Sequence, residues 1–231
     1  MKTTHKFVAA SAAAVLALLP VAGLQVTARA QFYGTVPANG IHGAALPKPP
    51  AGDKVAIVVF EDLGCPACAH AHAFELEAAT KAHVPLLRYD FPIPAHVWTF
   101  QGAVCARYLQ NKVSPATAEE YRKDVFASQR MISSKDDLQR FTEAWMQRRH
   151  IQMPFVMDPD GSLAKAVKAD FNLGLKVNVE FTPTVVVVTN DKYQVVCGTK
   201  TGSDDPARIY PVVQAALAAS HGTTVHPGVG H

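Results

Sequence analysis

The chain lacks a strong charge of either sign. Its 231 residues include 22 basic and 19 acidic ones, a formal net charge of +3. Lys2, Lys6 and Arg29 supply that excess, and no acidic residue lies among the first thirty, so the rest of the chain is neutral. A neutral chain offers no charged surface for nucleic acid or an anionic membrane. We therefore expect neither as a partner.

The chain also lacks internal repeats, and after residue 24 it lacks any apolar run long enough to cross a membrane. Near the start, Lys2 and Lys6 precede an apolar segment over 7–19, and Ala-Arg-Ala at 28–30 fits a small-x-small cleavage site. This order is typical of a secretory signal peptide. The alternative is an uncleaved anchor, against which a proline and a glycine after the apolar segment argue. We predict a cleaved signal peptide over 1–30 and a periplasmic or otherwise exported protein.

The roughly 200 residues after the signal peptide suit one domain. Residues 31–54 are rich in glycine and proline, which predicts an extended N-terminal arm. This arm is too short to be a separate dimerisation domain, so we expect a monomer. Residues 220–231 are rich in glycine, histidine and proline, and we interpret them as a flexible tail.

Cysteine is scarce, and two of the four cysteines lie close together in Cys65-Pro66-Ala67-Cys68. The β-branched run over 55–60 predicts a buried strand before them, and a helical pattern follows to about residue 81. A Cys-X-X-Cys pair at such a junction is typical of a thioredoxin-like redox motif. The helix N-terminus favours the Cys65 thiolate, which is the nucleophilic form. Cys68 lies one turn later and can resolve a mixed disulfide, while Pro66 suits the first turn.

The remaining pattern alternates between sheet and helices. Residues 84–89 predict a second strand, and about 80 mostly helical residues follow it. Residues 182–189 and 193–197 predict a hairpin, and a last helix begins at Asp205-Pro206. A proline at the head of a buried strand is unusual, and a cis bond between Thr182 and Pro183 would explain it.

These features together resemble the DsbA-like branch of the thioredoxin superfamily over about 54–219. The features are the Cys65–Cys68 motif after a strand, the Asp90-Phe91-Pro92 turn, the helical insertion and Thr182-Pro183-Thr184 before the hairpin. The resemblance implies an α/β thioredoxin fold, a central mixed sheet flanked by helices. The thioredoxin-fold domain would comprise 55–92 and 178–219, with an inserted helical subdomain over 93–177.

The resemblance also implies roles for individual residues. Cys65 would be the nucleophile and Cys68 the resolving cysteine, with Pro66 and Ala67 between them in the active-site loop. Thr182 and a cis Pro183 would face the disulfide, and the backbone there would hold the client peptide.

The implied function is an exported thiol–disulfide oxidoreductase, most simply an oxidase of DsbA type. It would need no cofactor, would exchange disulfides with client proteins and would be recycled by a DsbB- or VKOR-like membrane partner. A reductase or isomerase of the same fold is an alternative, and so is a scaffold with a structural Cys65–Cys68 bridge. A third alternative is a copper-binding chaperone that uses the same cysteines with His70 or His72. Helix geometry disfavours metal binding, because Cys65 and His72 would lie roughly 10 Å apart along the helix axis.

The chain departs from the family pattern at two positions. Val59 stands six residues before Cys65, where many relatives have a buried acid that assists proton transfer. Glu61 and Asp62 are the nearest acids. We assign both to a different strand parity from Val59, so that their side chains would not point to the same face, and we expect both to be solvated acids in a loop. Ala67 replaces a histidine that stabilises the thiolate in the strongest oxidants. We therefore expect a potential between about −120 and −270 mV.

Three further side chains invite hypotheses. Cys105 and Cys197 complete an even count, so we predict a disulfide between them in an oxidising compartment. The alternative is two separate buried thiols that pack as small hydrophobic groups. His96 opens the helix after the Phe-Pro turn, and we interpret it as a cap or surface residue rather than part of the active-site face.

Overall fold

The computed structural model describes residues 40–199 and 204–221. The predicted signal peptide, residues 31–39 of the predicted arm and nearly all of the predicted tail lie outside these ranges. Within them, no helix combines the length and the apolar character needed to cross a membrane.

Four strands form one mixed sheet in the order β2-β1-β3-β4. They are β1 (Val55–Glu61), β2 (Leu86–Asp90), β3 (Thr184–Thr189) and β4 (Tyr193–Cys197). β1 is parallel to β2 and antiparallel to β3, and β3 is antiparallel to β4. Every residue of β1 and β3 is buried. Neither central strand alternates between apolar and polar residues, because both of their faces are covered.

The described residues also form six α-helices. They are α1 (Pro66–Ala82), α2 (Thr99–Lys112), α3 (Pro115–Ser128), α4 (Lys135–Arg148), α5 (Ser162–Lys176) and α6 (Ile209–His221). Single 3-10 turns lie at 43–45, 129–131 and 206–208. The side chains of Ser114 and Ser134 accept hydrogen bonds from the first turns of α3 and α4. These caps explain why α3 begins after Ser114 and α4 after Ser134.

Helices cover both faces of the sheet. On one face, Ile57 and Val59 pack against α1 and α6. On the other, Val58 and Phe60 pack with the end of α5 and with Ile41 of the N-terminal arm. A separate cluster around Tyr121 and Trp145 forms the core of the inserted helices and reaches Cys65 and Cys68. A mixed sheet with flanking helices and a helical insertion confirms the predicted thioredoxin fold.

Candidate active site

The Cys65–Cys68 motif lies at the junction between β1 and α1. Cys65 is the N-cap residue of α1, with an extended backbone, and Pro66 occupies the first helical turn. The Cys65 N–H donates to the Asp62 carbonyl at 3.0 Å, and the Cys65 carbonyl accepts from Ala69 at 3.1 Å. The Cys65 sulfur therefore lies beside the unpaired N–H groups at the positive end of the helix.

This environment lowers the pKa of Cys65 to about 6. The largest cause is a hydrogen bond from the Cys68 thiol, and burial opposes it by disfavouring the charged form. The side chain of Thr182 and the backbone N–H groups of Ala67 and Cys68 lower the pKa further. At neutral pH, Cys65 is therefore mainly a thiolate.

The loop before β3 faces Cys65 from the opposite side. The peptide bond between Thr182 and Pro183 is cis, as the sequence predicts. The protonated Cys65 thiol donates to the Thr182 carbonyl at 3.2 Å. The Thr182 hydroxyl is buried and has no other hydrogen-bond partner. Because a thiolate can only accept, that hydroxyl becomes the useful partner once Cys65 loses its proton.

Cys68 has the opposite electrostatic character. Its side chain is fully buried, and burial is the main reason why its pKa lies well above the usual range. The neighbouring Cys65 and the Glu61 carboxylate raise this pKa further, while the N–H of Asp62, 3.5 Å from the sulfur, lowers it. The two cysteines thus pair a reactive thiolate with a thiol that keeps its proton.

Asp62 is buried, so the expectation of a solvated loop acid is wrong for this residue. Its carboxylate accepts hydrogen bonds from the N–H groups of Gly64, at 2.6 Å, and Ile93. The Thr99 hydroxyl donates to it at 3.2 Å, and His96 Nδ1 lies 3.0 Å away. Burial nevertheless raises the Asp62 pKa. Asp62 thereby joins the turn before Cys65 to the segment that leads into α2.

His96 belongs to the active-site face, in contrast to its interpretation as an ordinary cap or surface residue. A Cβ built on Gly64 would lie 3.0 Å from its ring, so His96 packs against the residue that precedes Cys65. Its side chain is 32% exposed and pairs with the buried Asp62. No local sequence pattern predicts this pairing, because Asp62 lies three residues before Cys65 and His96 follows the Phe-Pro turn.

Gln129 is a residue that the sequence did not single out. Its side-chain amide donates to the carbonyls of Leu63, at 2.8 Å, and Cys65, at 3.0 Å. It lies in the 3-10 turn after α3, so the inserted helices bind the active-site turn directly. Only the folded insertion brings position 129 next to position 65, and no spacing rule predicts that contact.

Comparison with known proteins agrees with this geometry. The family profile described as "Thioredoxin" matches residues 51–194. The chain belongs to the thioredoxin family. No curated protein sequence matches it.

Solved structures place this thioredoxin-family chain among DsbA-like folds. α-DsbA1 of Wolbachia pipientis is 13% identical with a TM-score of 0.57, and the match covers 75% of this chain and 91% of that one. Reduced DsbA1 of Neisseria meningitidis is 16% identical with a TM-score of 0.55, covering 81% and 96%. ScsC of Proteus mirabilis is 15% identical with a TM-score of 0.54, covering 76% and 74%. These likenesses confirm the predicted DsbA-like fold.

Glu61 is also buried, so the expectation of a solvated acid is wrong a second time. The assigned parity was wrong for this residue as well, because Glu61 is two residues after Val59 and points to the same face of β1. Its two oxygens accept from Arg88 at 2.6 Å and from Arg122 at 3.0 Å. These two guanidinium groups make its burial possible.

Glu61 is part of a larger buried ionic network between β1, β2, α1, α2, α3 and α5. Arg88 also bonds Glu75 and Glu119, both at 2.9 Å. The network contains five carboxylates and three guanidinium groups: Glu61, Glu75, Asp90, Glu119, Asp170, Arg88, Arg107 and Arg122. Burial raises the pKa of Glu75 to about 7. Burial also lowers the pKa of His72, whose Nε2 lies 3.1 Å from Glu119 Oε1.

The two histidines of the copper hypothesis lie on different sides of α1. His70 is exposed and contacts Phe74, with ring centroids 5.5 Å apart. His72 is buried beside the ionic network, where donor atoms of Glu61, His72 and Glu75 lie within 4.8 Å of one another. A cation among them would lie next to the guanidinium groups that already bond both oxygens of Glu61. The group is therefore better described as an ionic network than as a metal centre.

The predicted disulfide between Cys105 and Cys197 is not present, and both residues are free thiols. Cys105 packs against the core of the inserted helices, and Tyr121 and Thr142 affect its pKa. Cys197 lies in the cluster between the sheet and α6. Because the two thiols occupy different hydrophobic clusters, the prediction is corrected to two separate cysteines, of which Cys197 is buried and Cys105 is partly buried.

Proposed function

We propose that this chain is an exported thiol–disulfide oxidoreductase that donates its Cys65–Cys68 disulfide to client proteins. The observation that carries the proposal is the asymmetry of the pair. Cys65 has a pKa of about 6 at the N-terminus of α1, whereas the pKa of the buried Cys68 is raised. Export rests on the signal-peptide pattern of residues 1–30.

The reaction proceeds by two thiol–disulfide exchanges. A client thiolate attacks Cys65 Sγ of the oxidised protein, the bond to Cys68 breaks, and Cys68 leaves as a thiolate that takes up a proton. The client's second thiolate then attacks the client sulfur that is bonded to Cys65 in the mixed disulfide. The client disulfide forms, and Cys65 leaves as a thiolate. The client loses two electrons and gains a disulfide, and the protein gains the same two electrons.

The Cys65 environment favours this direction. Thiols with a low pKa leave faster, and a stabilised Cys65 thiolate stabilises the reduced protein relative to the oxidised one. Both effects favour release of the disulfide to a client. A reductase would need the reverse balance, and a reductase or an isomerase would need a membrane donor of electrons that keeps the pair reduced.

The client and the recycling partner are part of the proposal. Clients would be unfolded or partly folded exported chains with free thiols. The recycling partner would be a membrane protein of DsbB or VKOR type that reoxidises the Cys65–Cys68 pair. The protein would act as a monomer without a cofactor.

The test is a redox titration of the pair against glutathione, with metal content read on the same sample. We expect a potential of about −120 to −180 mV in a metal-free protein. We also expect Cys68→Ala to accumulate mixed disulfides with a client peptide that carries a disulfide, because the Cys65 thiolate attacks that disulfide and no Cys68 thiol releases the product. Cys65→Ala should form none. A potential near −250 mV or below would mean a reductase. Stoichiometric copper lost in Cys65→Ala would favour the binding protein instead.

A further inference from the structure

The buried ionic network carries more acid than base. With five carboxylates and three guanidinium groups, it would have an excess of two negative charges if every acid were ionised. Unbalanced charge in the interior is costly, and proteins relieve it by holding a proton. The acid whose pKa is raised to about 7 is Glu75, which is 1% exposed.

Glu75 of the network and the neighbouring His72 have unused hydrogen-bonding capacity. Neither ring nitrogen of His72 makes a hydrogen bond, although Nε2 lies 3.1 Å from a Glu119 oxygen. Glu75 Oε1 also has no partner, since Arg88 bonds the other oxygen. Buried polar atoms are seldom left unpaired without a reason.

These two side chains lie on the same helix stripe as Cys68. Cys68, His72 and Glu75 are all buried residues of α1 and are spaced by four and three positions. Side chains three or four residues apart on a helix are neighbours on one face. His72 therefore lies between the resolving thiol and Glu75.

We propose that His72 and Glu75 form the proton route of Cys68, taking up the thiol proton when Cys68 resolves a mixed disulfide and returning it in the reverse step. This assignment rests on the proposed function, because it supplies a step of that reaction. Val59 cannot take part, since valine carries no proton. Glu61 is a poor acceptor, because both of its oxygens bond guanidinium groups.

The proton transfer balances within the protein. Starting from Cys65 joined to a small-molecule or client sulfur, the proton leaves Cys68 Sγ for one nitrogen of the neutral His72 ring. The other nitrogen releases its proton to Glu75 Oε1. The Cys68 thiolate attacks Cys65 Sγ, the Cys65–Cys68 bond forms, and the partner sulfur leaves as a thiolate with two electrons. The reverse step returns the proton to Cys68.

The surroundings of Glu75 fit this role. The titratable groups that act on Glu75 are Arg88, Glu61 and Glu119, and Glu75 itself acts on Cys197. His72 lies close to Glu75, with donor atoms within 4.8 Å. Arg88 keeps the Glu75 pKa from rising beyond about 7, whereas Glu61 and Glu119 raise it. Glu119 also lines a cavity of about 580 Å³ beside β2, which gives the proton a way to solvent.

The experiment follows the two cysteines separately with Ellman's reagent. Cys65 of the reduced protein attacks the reagent and releases one coloured thiolate. Cys68 then resolves the mixed disulfide and releases a second. Stopped-flow absorbance resolves the two phases. Cys105 and Cys197 do not interfere, because burial raises their pKa values to about 11 and about 12.

We expect the second phase of the wild-type protein to rise with pH around a midpoint near 7, since Glu75 accepts a proton only as a carboxylate. Glu75→Gln should slow this phase at least about ten-fold at pH 7.5 and remove the midpoint. Glu75→Asp should retain part of the wild-type rate of the second phase. His72→Asn should slow the second phase while every hydrogen-bond partner of Arg88 is kept. The matched control is Glu77→Gln, an exposed glutamate of α1 paired with Lys81, which should match the wild type.

Two results would overturn the proton route. One is a wild-type second phase with no inflection between about pH 6 and 8, which needs no variant at all. The other is a second phase in folded Glu75→Gln and His72→Asn within two-fold of the wild type. In both cases the first phase, the attack of Cys65 on the reagent, would have the wild-type rate. A missing first phase, or no Cys65–Cys68 disulfide at its end, would instead contradict the proposed function.

Discussion

Replacing Cys68 with alanine is expected to raise the pKa of Cys65 and to lower its thiolate fraction at neutral pH to about half. With a pKa of about 6, the Cys65 thiolate outnumbers the thiol by about ten to one at pH 7. The largest cause is the hydrogen bond from Cys68, and hydrogen bonds to charged groups contribute about 1.5–3 kcal/mol. Because Cys65 is partly solvated, we use the lower limit, which corresponds to about a ten-fold change in ionisation.

The Cys68→Ala protein should therefore hold thiolate and thiol in about equal amounts at pH 7. The assay is a pH titration of the ultraviolet absorbance of the thiolate, with Cys65→Ala as the blank. Cys68→Ser is the matched control, because its hydroxyl can still donate to Cys65. The reasoning is refuted if the alanine curve superimposes on that of the wild type, or if serine and alanine shift the midpoint equally.

The low pKa of Cys65 also makes the stability of the folded, reduced protein depend on pH. The Cys65 pKa is about 6 when folded, against an ordinary value of 9.0. The stabilisation is therefore complete above pH 9 and is lost as the pH falls through 6. At pH 7 it amounts to at most about 1.4 kcal/mol, because solvent screens part of it. This corresponds to a potential about 30 mV more oxidising than that of a pair with an ordinary thiol.

Other predictions concern the turn, a cap and the remaining thiols. A Cβ at position 64 would lie 2.8 Å from Thr99, so Gly64→Ala should lower the free energy of unfolding by about 1–3 kcal/mol in urea titrations; an unchanged midpoint would contradict this packing. Ser134→Ala removes the cap of α4 and should cost about 1 kcal/mol in the same assay, whereas no loss would mean that the cap is not used. The oxidised protein, denatured without reductant, should show two free thiols, Cys105 and Cys197, and a count of zero would restore the disulfide between them.

The sequence predicted the redox pair because its signals are local. A β-branched run, two cysteines separated by two residues, and a proline in the first helical turn are all read from neighbouring positions. The cis bond before Pro183 was predicted in the same way, since a proline at the head of a buried strand has few explanations.

The sequence could not predict the two buried acids or the two free cysteines. Glu61 is buried because Arg88 and Arg122 reach it from β2 and α3, and acids without known partners are correctly expected in solvent. An even cysteine count favours a disulfide, but only the packing of the insertion shows that Cys105 and Cys197 lie in different clusters.

By itself, the sequence determined the chemistry of this protein, because a thiol pair at a helix N-terminus is defined within a few residues. The tertiary structure alone decided the surroundings of that pair. The Thr182 carbonyl, the Gln129 amide and the network around Glu75 approach the cysteines from distant parts of the chain. Their effects depend on distances of a few ångströms and on the exclusion of water, which no pattern of residues along the chain records.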